Sequence, residues 1–356
     1  MCSFSFPFQF FPNVGGVCEP LFNEISVWVG SNIFGIEKES LLYHSGEDSI
    51  GMLVNLVNVC FISLLLYGIL WNFFKTKVPL TFPFAVIFLR YFLAIILLIY
   101  GFDKIYKYQF YYPEPNILYT KLKDIPQDLL YWSTMGTSYS YSVFAGLMEV
   151  IPAILLLWRR TYVLGAFINV LVFTNVVMTN FGFDVTIKLF SSFLLFCSIV
   201  LFAPFGLNIW KAFTGKGEPY VLESNTLYKS KPLYYSLKVI VVILILIECQ
   251  FKYVMQGSFN DDRINRPSLH GTYEIVSEDS LWERIYFHRQ GYFIIELNNG
   301  EFYDMKMTNI KDQNKLILTT YDNEIQELLY KWNADTLNLF NEDRSIDVKS
   351  IQVYKY

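Results

Sequence analysis

Histidine is scarce in this sequence: His44, His270 and His288 are the only three in 356 residues. They are dispersed along the chain, so neither a haem-ligating pair nor a histidine-based metal cluster is expected. The five cysteines (Cys2, Cys18, Cys60, Cys197 and Cys249) form no CxxC pair, which leaves a dithiol redox centre unsupported. Charge is thin as well, at 17% Asp, Glu, Lys and Arg with a net charge of −4, and no broad basic face argues for nucleic acid. Gly-rich phosphate loops, Ser-His-Asp spacings and dinucleotide fingerprints are missing, as are internal repeats and low-complexity tracts. The opening "MCSFSFPFQFFPNVGG" has no basic start and no long apolar core, so it does not read as a signal peptide.

What the chain has is apolar surface. It is 53% hydrophobic and 19% aromatic, with a mean hydropathy of +0.33, too greasy for an ordinary soluble domain of this length. A membrane span needs about 20 largely apolar residues, and the windows 51–73, 81–102, 139–158, 161–181, 186–206 and 234–255 meet that need. Basic residues sort onto alternate loops: Lys75 and Lys77, then Arg159 and Arg160, then Lys211, Lys216, Lys229 and Lys231. By the positive-inside rule those loops are cytoplasmic, which puts both termini on the other side of a bacterial inner membrane. An acidic N-terminal segment that crosses without a leader is awkward, and a start assigned downstream of a first helix is the favoured explanation. Cys2 and Cys18 would then lie where a disulfide is permitted.

Three regions follow. Residues 1–50 read as an extracytoplasmic segment with a short amphipathic piece, 51–255 as the membrane domain, and 256–356 as an extracytoplasmic β-rich domain. In the last region acidic residues outnumber basic ones. "GTYEIVS", "LWERIYFHR", "GYFIIEL", "EFYDMKM", "KLILTTY", "IQELLYKW", "DTLNLF" and "DVKSIQVYKY" alternate polar with apolar, separated by turn signals such as "NNG", "KDQN", "YDN" and "NEDRS". Short strands at such regular spacing predict an antiparallel meander closed into a small barrel. Its opening "GTYEI" resembles lipocalin-type barrels, and the interior would either hold a ligand or be filled by side chains.

Charged residues inside apolar helices are the main functional signal. Arg90 interrupts "AVIFLRYFLAIILLIYGFDK", and a charge at bilayer depth costs about 3 kcal/mol on insertion scales. Glu149 lies at a matching distance from the outer end of 139–158, so an Arg90–Glu149 ion pair between helices is expected, with Pro152 freeing a backbone carbonyl nearby. A second layer nearer the outer face comprises Asp103, Lys104, Asn175, Asn180, Asp184 and Lys188. Arg90, Lys104 and Lys188 balance Asp103, Glu149 and Asp184, so the set is neutral. The outer layer has two readings of equal weight: a polar functional pocket, or wetted interfacial side chains and interhelical hydrogen bonding.

Arg90 followed by Gly101-Phe-Asp-Lys104, then Gly146-Leu-Met-Glu149 ahead of Arg159-Arg160, then "LGAFINVLVFTNVVMTNFGFDVTIKLFSS", resembles the DoxX family over about residues 82–206. The resemblance implies a four-helix membrane bundle in which Arg90, Lys104, Glu149 and Lys188 match the pattern. It also implies a role beside thiosulfate:quinone-type oxidoreductases, with quinone as the implied cofactor and a redox protein as the implied partner. The family supplies no catalytic role to carry across. Two competing functions stand beside this: a non-enzymatic envelope binding or assembly protein acting through the barrel, and, more weakly, a transporter.

Overall fold

The computed structural model describes residues 14–41, 48–74, 78–215, 231–277, 280–333 and 335–355, over which ten α-helices precede eight β-strands. In chain order the helices are α1 (Val14–Asn32), α2 (Lys38–Leu41), α3 (Ile50–Phe74), α4 (Val78–Ile105), α5 (Pro115–Tyr119), α6 (Gln127–Thr137), α7 (Tyr139–Leu157), α8 (Tyr162–Gly182), α9 (Lys188–Phe213) and α10 (Lys231–Gln256). The strands are β1 (Gly271–Ile275), β2 (Trp282–Phe287), β3 (Tyr292–Leu297), β4 (Phe302–Ile310), β5 (Lys315–Thr319), β6 (Ile325–Asn333), β7 (Thr336–Phe340) and β8 (Asp347–Tyr354). Two compact units result, one joining residues 1–110 with 138–261, the other joining 111–137 with 262–356.

In the first unit, five helices are long and apolar enough to cross a membrane: α3, α4, α7, α8 and α9. The chain is therefore a multi-pass membrane protein by length and composition, since a helix satisfies its own backbone in lipid. The sixth expected span coincides with α10, which is continuous but carries Lys238, Glu248 and Lys252 and is not among those five. The N-terminal segment holds more structure than expected. Its helix α1 packs on α3, with Asn58 Nδ2 donating to Ser26 Oγ at 3.4 Å. Lys75, Lys77, Lys216, Lys229, His44 and Cys2 lie outside the described residues, as does the side chain of Cys18.

The core of this unit forms where α4 packs on α7, α7 on α8, and α8 on α9, with α9 returning to α4. Phe92, Leu93, Leu97, Ala153, Leu156, Ala166, Phe173 and Leu194 fill it. The opposite faces stay apolar and exposed, as lipid contact requires: Phe144, Leu147, Ile151 and Ile154 on α7, and Phe196, Ile199 and Val200 on α9.

In the second unit, β1 to β8 pair in sequence order, all antiparallel, and β8 closes back onto β1. The expected turn signals carry left-handed residues, at Gly300 (φ +85°) in "NNG", Asn314 (+49°) in "KDQN", Asn323 (+63°) in "YDN" and Arg344 (+53°) in "NEDRS". Of the two interiors left open by the sequence, the filled one is observed. Tyr273, Ile285, Phe287, Phe293, Leu316, Leu318, Leu328, Leu337 and Leu339 pack together along the axis. The loop 103–138 is not simply an outer connection, because its residues 111–137 join the barrel. Tyr286, Ile294 and Glu296 point outward by the alternation of strands and are nonetheless buried. Helix α5 packs on β1 and β2, bringing Tyr119 to 6.2 Å from the Tyr286 ring.

Candidate functional site

Helices α4 and α7 run antiparallel and cross at two glycines. A Cβ on Gly146 would stand 2.5 Å from the Gly101 carbonyl oxygen, and one on Gly101 would stand 3.0 Å from that of Gly146. Lys104 and Glu149 each sit three positions beyond a glycine. Side chains on a helix lean toward its N-terminus, so across an antiparallel crossing these two lean toward each other. Lys104 Nζ donates to Glu149 Oε1 at 2.9 Å and Oε2 at 2.8 Å, with both side chains almost wholly buried. Ser142 Oγ donates to the Lys104 carbonyl at 2.7 Å, and the Tyr100 and Phe110 rings each stand 5.7 Å from Nζ.

The expected Arg90–Glu149 pair is not formed. Arg90 Nε and Nη2 both donate to the Leu156 carbonyl, at 3.0 and 2.8 Å, and the guanidinium lies 4.4 Å from the centre of the Tyr162 ring. The expectation took the ends of two helices as level, whereas the glycine crossing sets the register and puts Glu149 beside Lys104. Arg90 lies about 21 Å along α4 from that point, at 1.5 Å per residue. There α7 ends at Leu157, and carbonyls of a last helical turn lack intrahelical donors. The negative end of the α7 dipole meets the guanidinium.

The outer layer separates into several places. Asp103 Oδ1 accepts from Lys252 Nζ at 2.8 Å and from the Tyr253 hydroxyl at 3.0 Å, tying α4 to α10. Asn180 Nδ2 donates to Ser191 Oγ at 2.9 Å, linking α8 to α9. Asp184 and Lys188 form an i,i+4 pair at 2.6 Å with the Asp184 side chain 80% exposed, so they belong to the surface. Asn175 is exposed on α8 and joins no polar pocket. Sequence reading missed Asp48, whose carboxylate caps α9 by accepting from the Lys188 and Leu189 amides at 2.7 and 2.9 Å.

Next to the ion pair lies a cavity of about 40 Å³ bordered by Lys104, Glu149, Tyr100, Gln109 and Ser191, with Leu97, Phe173 and Phe190 among its apolar walls. Gln109 Oε1 is buried without a hydrogen-bond donor. The exposed wall of this space is almost wholly apolar despite the charged pair at its border, and an apolar space of this size does not call for ordered water.

A second buried polar cluster lies in the barrel unit and unites two histidines that looked dispersed. Glu114, just before α5, receives His270 Nε2 at 3.0 Å, Arg289 Nε at 3.0 Å and the Arg289 amide at 3.3 Å, with His288 Nε2 at 3.7 Å. Arg289 also covers the Tyr111 ring at 3.9 Å. Burial alone would raise the Glu114 pKa, but the His270 hydrogen bond and the His288 and Arg289 charges outweigh it and hold the carboxyl below its usual range. Burial pushes His288 down, only partly opposed by Glu114. No signal in the sequence marks Glu114, which stands in an irregular loop far from its partners in the chain. Among the described residues, no group of three or more His, Cys, Asp or Glu side chains is placed to hold a metal ion.

Fold and site together define a class: a multi-pass membrane protein with an ion pair buried at a helix crossing and a filled β-barrel unit. Over 127 residues the chain is 32% identical to the uncharacterized protein YwoB of Bacillus subtilis, a match covering 36% of this chain and 76% of YwoB. The chain belongs to the YwoB family. No protein-family model matches it, and no solved structure does.

Proposed function

We propose that the chain is an inner-membrane component of the DoxX type whose working centre is the Lys104–Glu149 pair, serving redox chemistry that involves membrane quinone. The observation that carries this reading is the pair's burial, at the border of a small, largely apolar cavity. A bundle needing only stability could fill both positions with apolar residues and avoid the desolvation cost. The cavity of about 40 Å³ is too small for a quinone ring, so the ring would approach from the lipid side and the ion pair itself would handle protons. Quinone reduction takes up electrons and protons in equal number, and the electrons would come from a partner protein. In this orientation the barrel unit is extracytoplasmic, and a Cys placed at Asn299 labels in intact cells whereas one at Gly217 does not.

The test is purification from the native membrane, followed by assay for bound quinone and for quinone-dependent oxidation of thiol and sulfur donors. Glu149→Gln should lower such turnover, measured per folded protein, by about a hundredfold or more, the usual contribution of a proton-transferring group. Absence of both bound quinone and quinone-dependent turnover overturns the proposal. A second reading, an envelope binding or assembly protein, draws support from apolar side chains exposed at one end of the barrel.

A further inference from the structure

The two ends of the barrel differ. The chain enters β1 at the end that also holds the β2–β3 turn, and there its own residue Glu114 is gripped by His270 and Arg289. The far end holds the β3–β4, β5–β6 and β7–β8 turns together with the link from β1 to β2. Large apolar side chains stand out there: Leu281 is 75% exposed, Ile325 69%, Tyr321 68% and Tyr303 53%. They lie on neighbouring strands and turns. The Asn298 amide in the β3–β4 turn donates to the Leu281 carbonyl at 3.0 Å, and the Tyr321 hydroxyl donates to Asp304 on β4. Tyr303 shares the inward side of β4 with Met305 yet sits at the rim.

Charge in the turns of this end is mostly negative, with exposed Lys349 beside the β1–β2 link. Among the described residues of the three turns, Glu301, Asp322, Glu324, Glu342 and Asp343 carry carboxylates. Arg344 is the one cation, and it is spent on Asp347 at 3.3 Å. Since side chains fill the barrel interior, this rim does not open onto a ligand chamber. A closed barrel also offers no free strand edge for β-augmentation.

We propose that the far end of the barrel docks a basic, amphipathic segment of another protein. Its apolar residues would cover Leu281, Tyr303, Tyr321 and Ile325, and its Lys and Arg side chains would meet the surrounding carboxylates and aromatic faces. A second copy of this chain fits poorly, because it would bring the same acidic turns against these ones. An anionic lipid surface is repelled for the same reason. The inference deepens the second reading above and stands apart from any chemistry in the bundle.

The experiment uses the full chain in nanodiscs of zwitterionic lipid, with empty discs subtracted. Two labelled synthetic helices are the probes, one of Leu and Lys, the other with Glu replacing every Lys. The Leu/Lys helix should bind more tightly, and added salt should weaken it. The double substitution Leu281→Ser, Ile325→Ser should cut its affinity by about tenfold or more, as expected when central apolar contacts are lost. The pair Asp322→Lys, Glu324→Lys should narrow or reverse the preference between probes. Ile351→Ser, Val353→Ser, on the exposed wall of β8, is the control and should leave affinity unchanged; matching near-ultraviolet dichroism shows that the variants are folded. No binding by the parent protein, equal binding of both helices, or unchanged affinity after the Leu281/Ile325 change overturns the proposal. Self-association of the parent that the same change abolishes also overturns it, in favour of a second copy.

Discussion

Gly146 of α7 and Gly101 of α4 meet backbone to backbone, so closely that a methyl group on Gly146 would lie 2.5 Å from the Gly101 carbonyl oxygen. Small residues at a helix crossing allow such an approach in membranes. Here it also fixes the register that seats Lys104 on Glu149. In Gly-x-x-Lys and Gly-x-x-Glu, the glycine sets the distance between the helices and the charged residue uses it.

The two glycines should therefore respond differently to alanine. At Gly101 the nearest obstacle is the side chain of Val150, at 2.7 Å, whereas at Gly146 it is backbone. Overpacking costs about 1–3 kcal/mol, with Gly146→Ala at the upper end and Gly101→Ala lower. Val150→Ala should relieve the Gly101 variant and leave the Gly146 variant unimproved. Thermal unfolding in detergent measures this, and equal stability of both alanine variants with the parent would refute the crossing as described.

Removing one member of the Lys104–Glu149 pair should be worse than removing both. Lys104→Met leaves a carboxylate buried among Tyr100, Phe110 and Phe173, and breaking such a pair costs about 3–5 kcal/mol. Adding Glu149→Leu removes the orphaned charge and should recover most of that loss. If the pair is the working centre, the double variant will be stable and inactive. A stable and fully active double variant would reduce the pair to structure.

The barrel was legible in the sequence almost strand for strand, because a one-sided strand writes its burial as alternation and most of its turns carry a Gly or Asn in the left-handed conformation. Five of the six expected spans were legible from hydropathy for the same local reason. The helix register was not, since nothing in residues 81–102 or 139–158 says which turn of one helix faces which turn of the other. Arg90 and Glu149 looked complementary in depth, and the two glycines that decide the matter carry no charge or bulk. The packing of α5 onto β1 and β2 was hidden too. Tyr286 and Glu296 follow the outward alternation, and only their burial reveals the cover.

Arg90 should tolerate neither lysine nor a charge swap with Glu149. Its two nitrogens share one helix-end carbonyl while its plane faces Tyr162, and an ammonium reproduces neither the fork nor the stacking. Arg90→Lys should cost about 1.5–3 kcal/mol, the scale of hydrogen bonds to charged groups. The exchange Arg90→Glu with Glu149→Arg should fail outright, with an acid facing a carbonyl at one end and two cations facing each other at the other. Recovery of accumulation in the exchanged protein would mean that the two side chains communicate after all.

The Glu114 cluster should loosen on acidification, beginning with His288. The Gln290 amide donates to His288 Nδ1 at 3.1 Å, so the neutral ring carries its proton on Nε2, toward Glu114. A second proton would have to sit on Nδ1, against a donor. This agrees with a folded pKa below the ordinary 6.5. Once the segment detaches, the ring takes up a proton more readily than when packed. The stabilisation is therefore full above pH 6.5 and declines as pH falls from there toward the folded value. Glu114, held below its ordinary 4.5, adds a further loss only under that value. Hydrogen exchange of amides 111–119, corrected for intrinsic rates, should be faster one unit below pH 6.5 than one unit above it. His288→Gln should flatten the difference, and Glu114→Gln should speed exchange at both pH values. Protection that does not change across this window would show that the segment is held by Tyr119, Tyr286 and their neighbours alone.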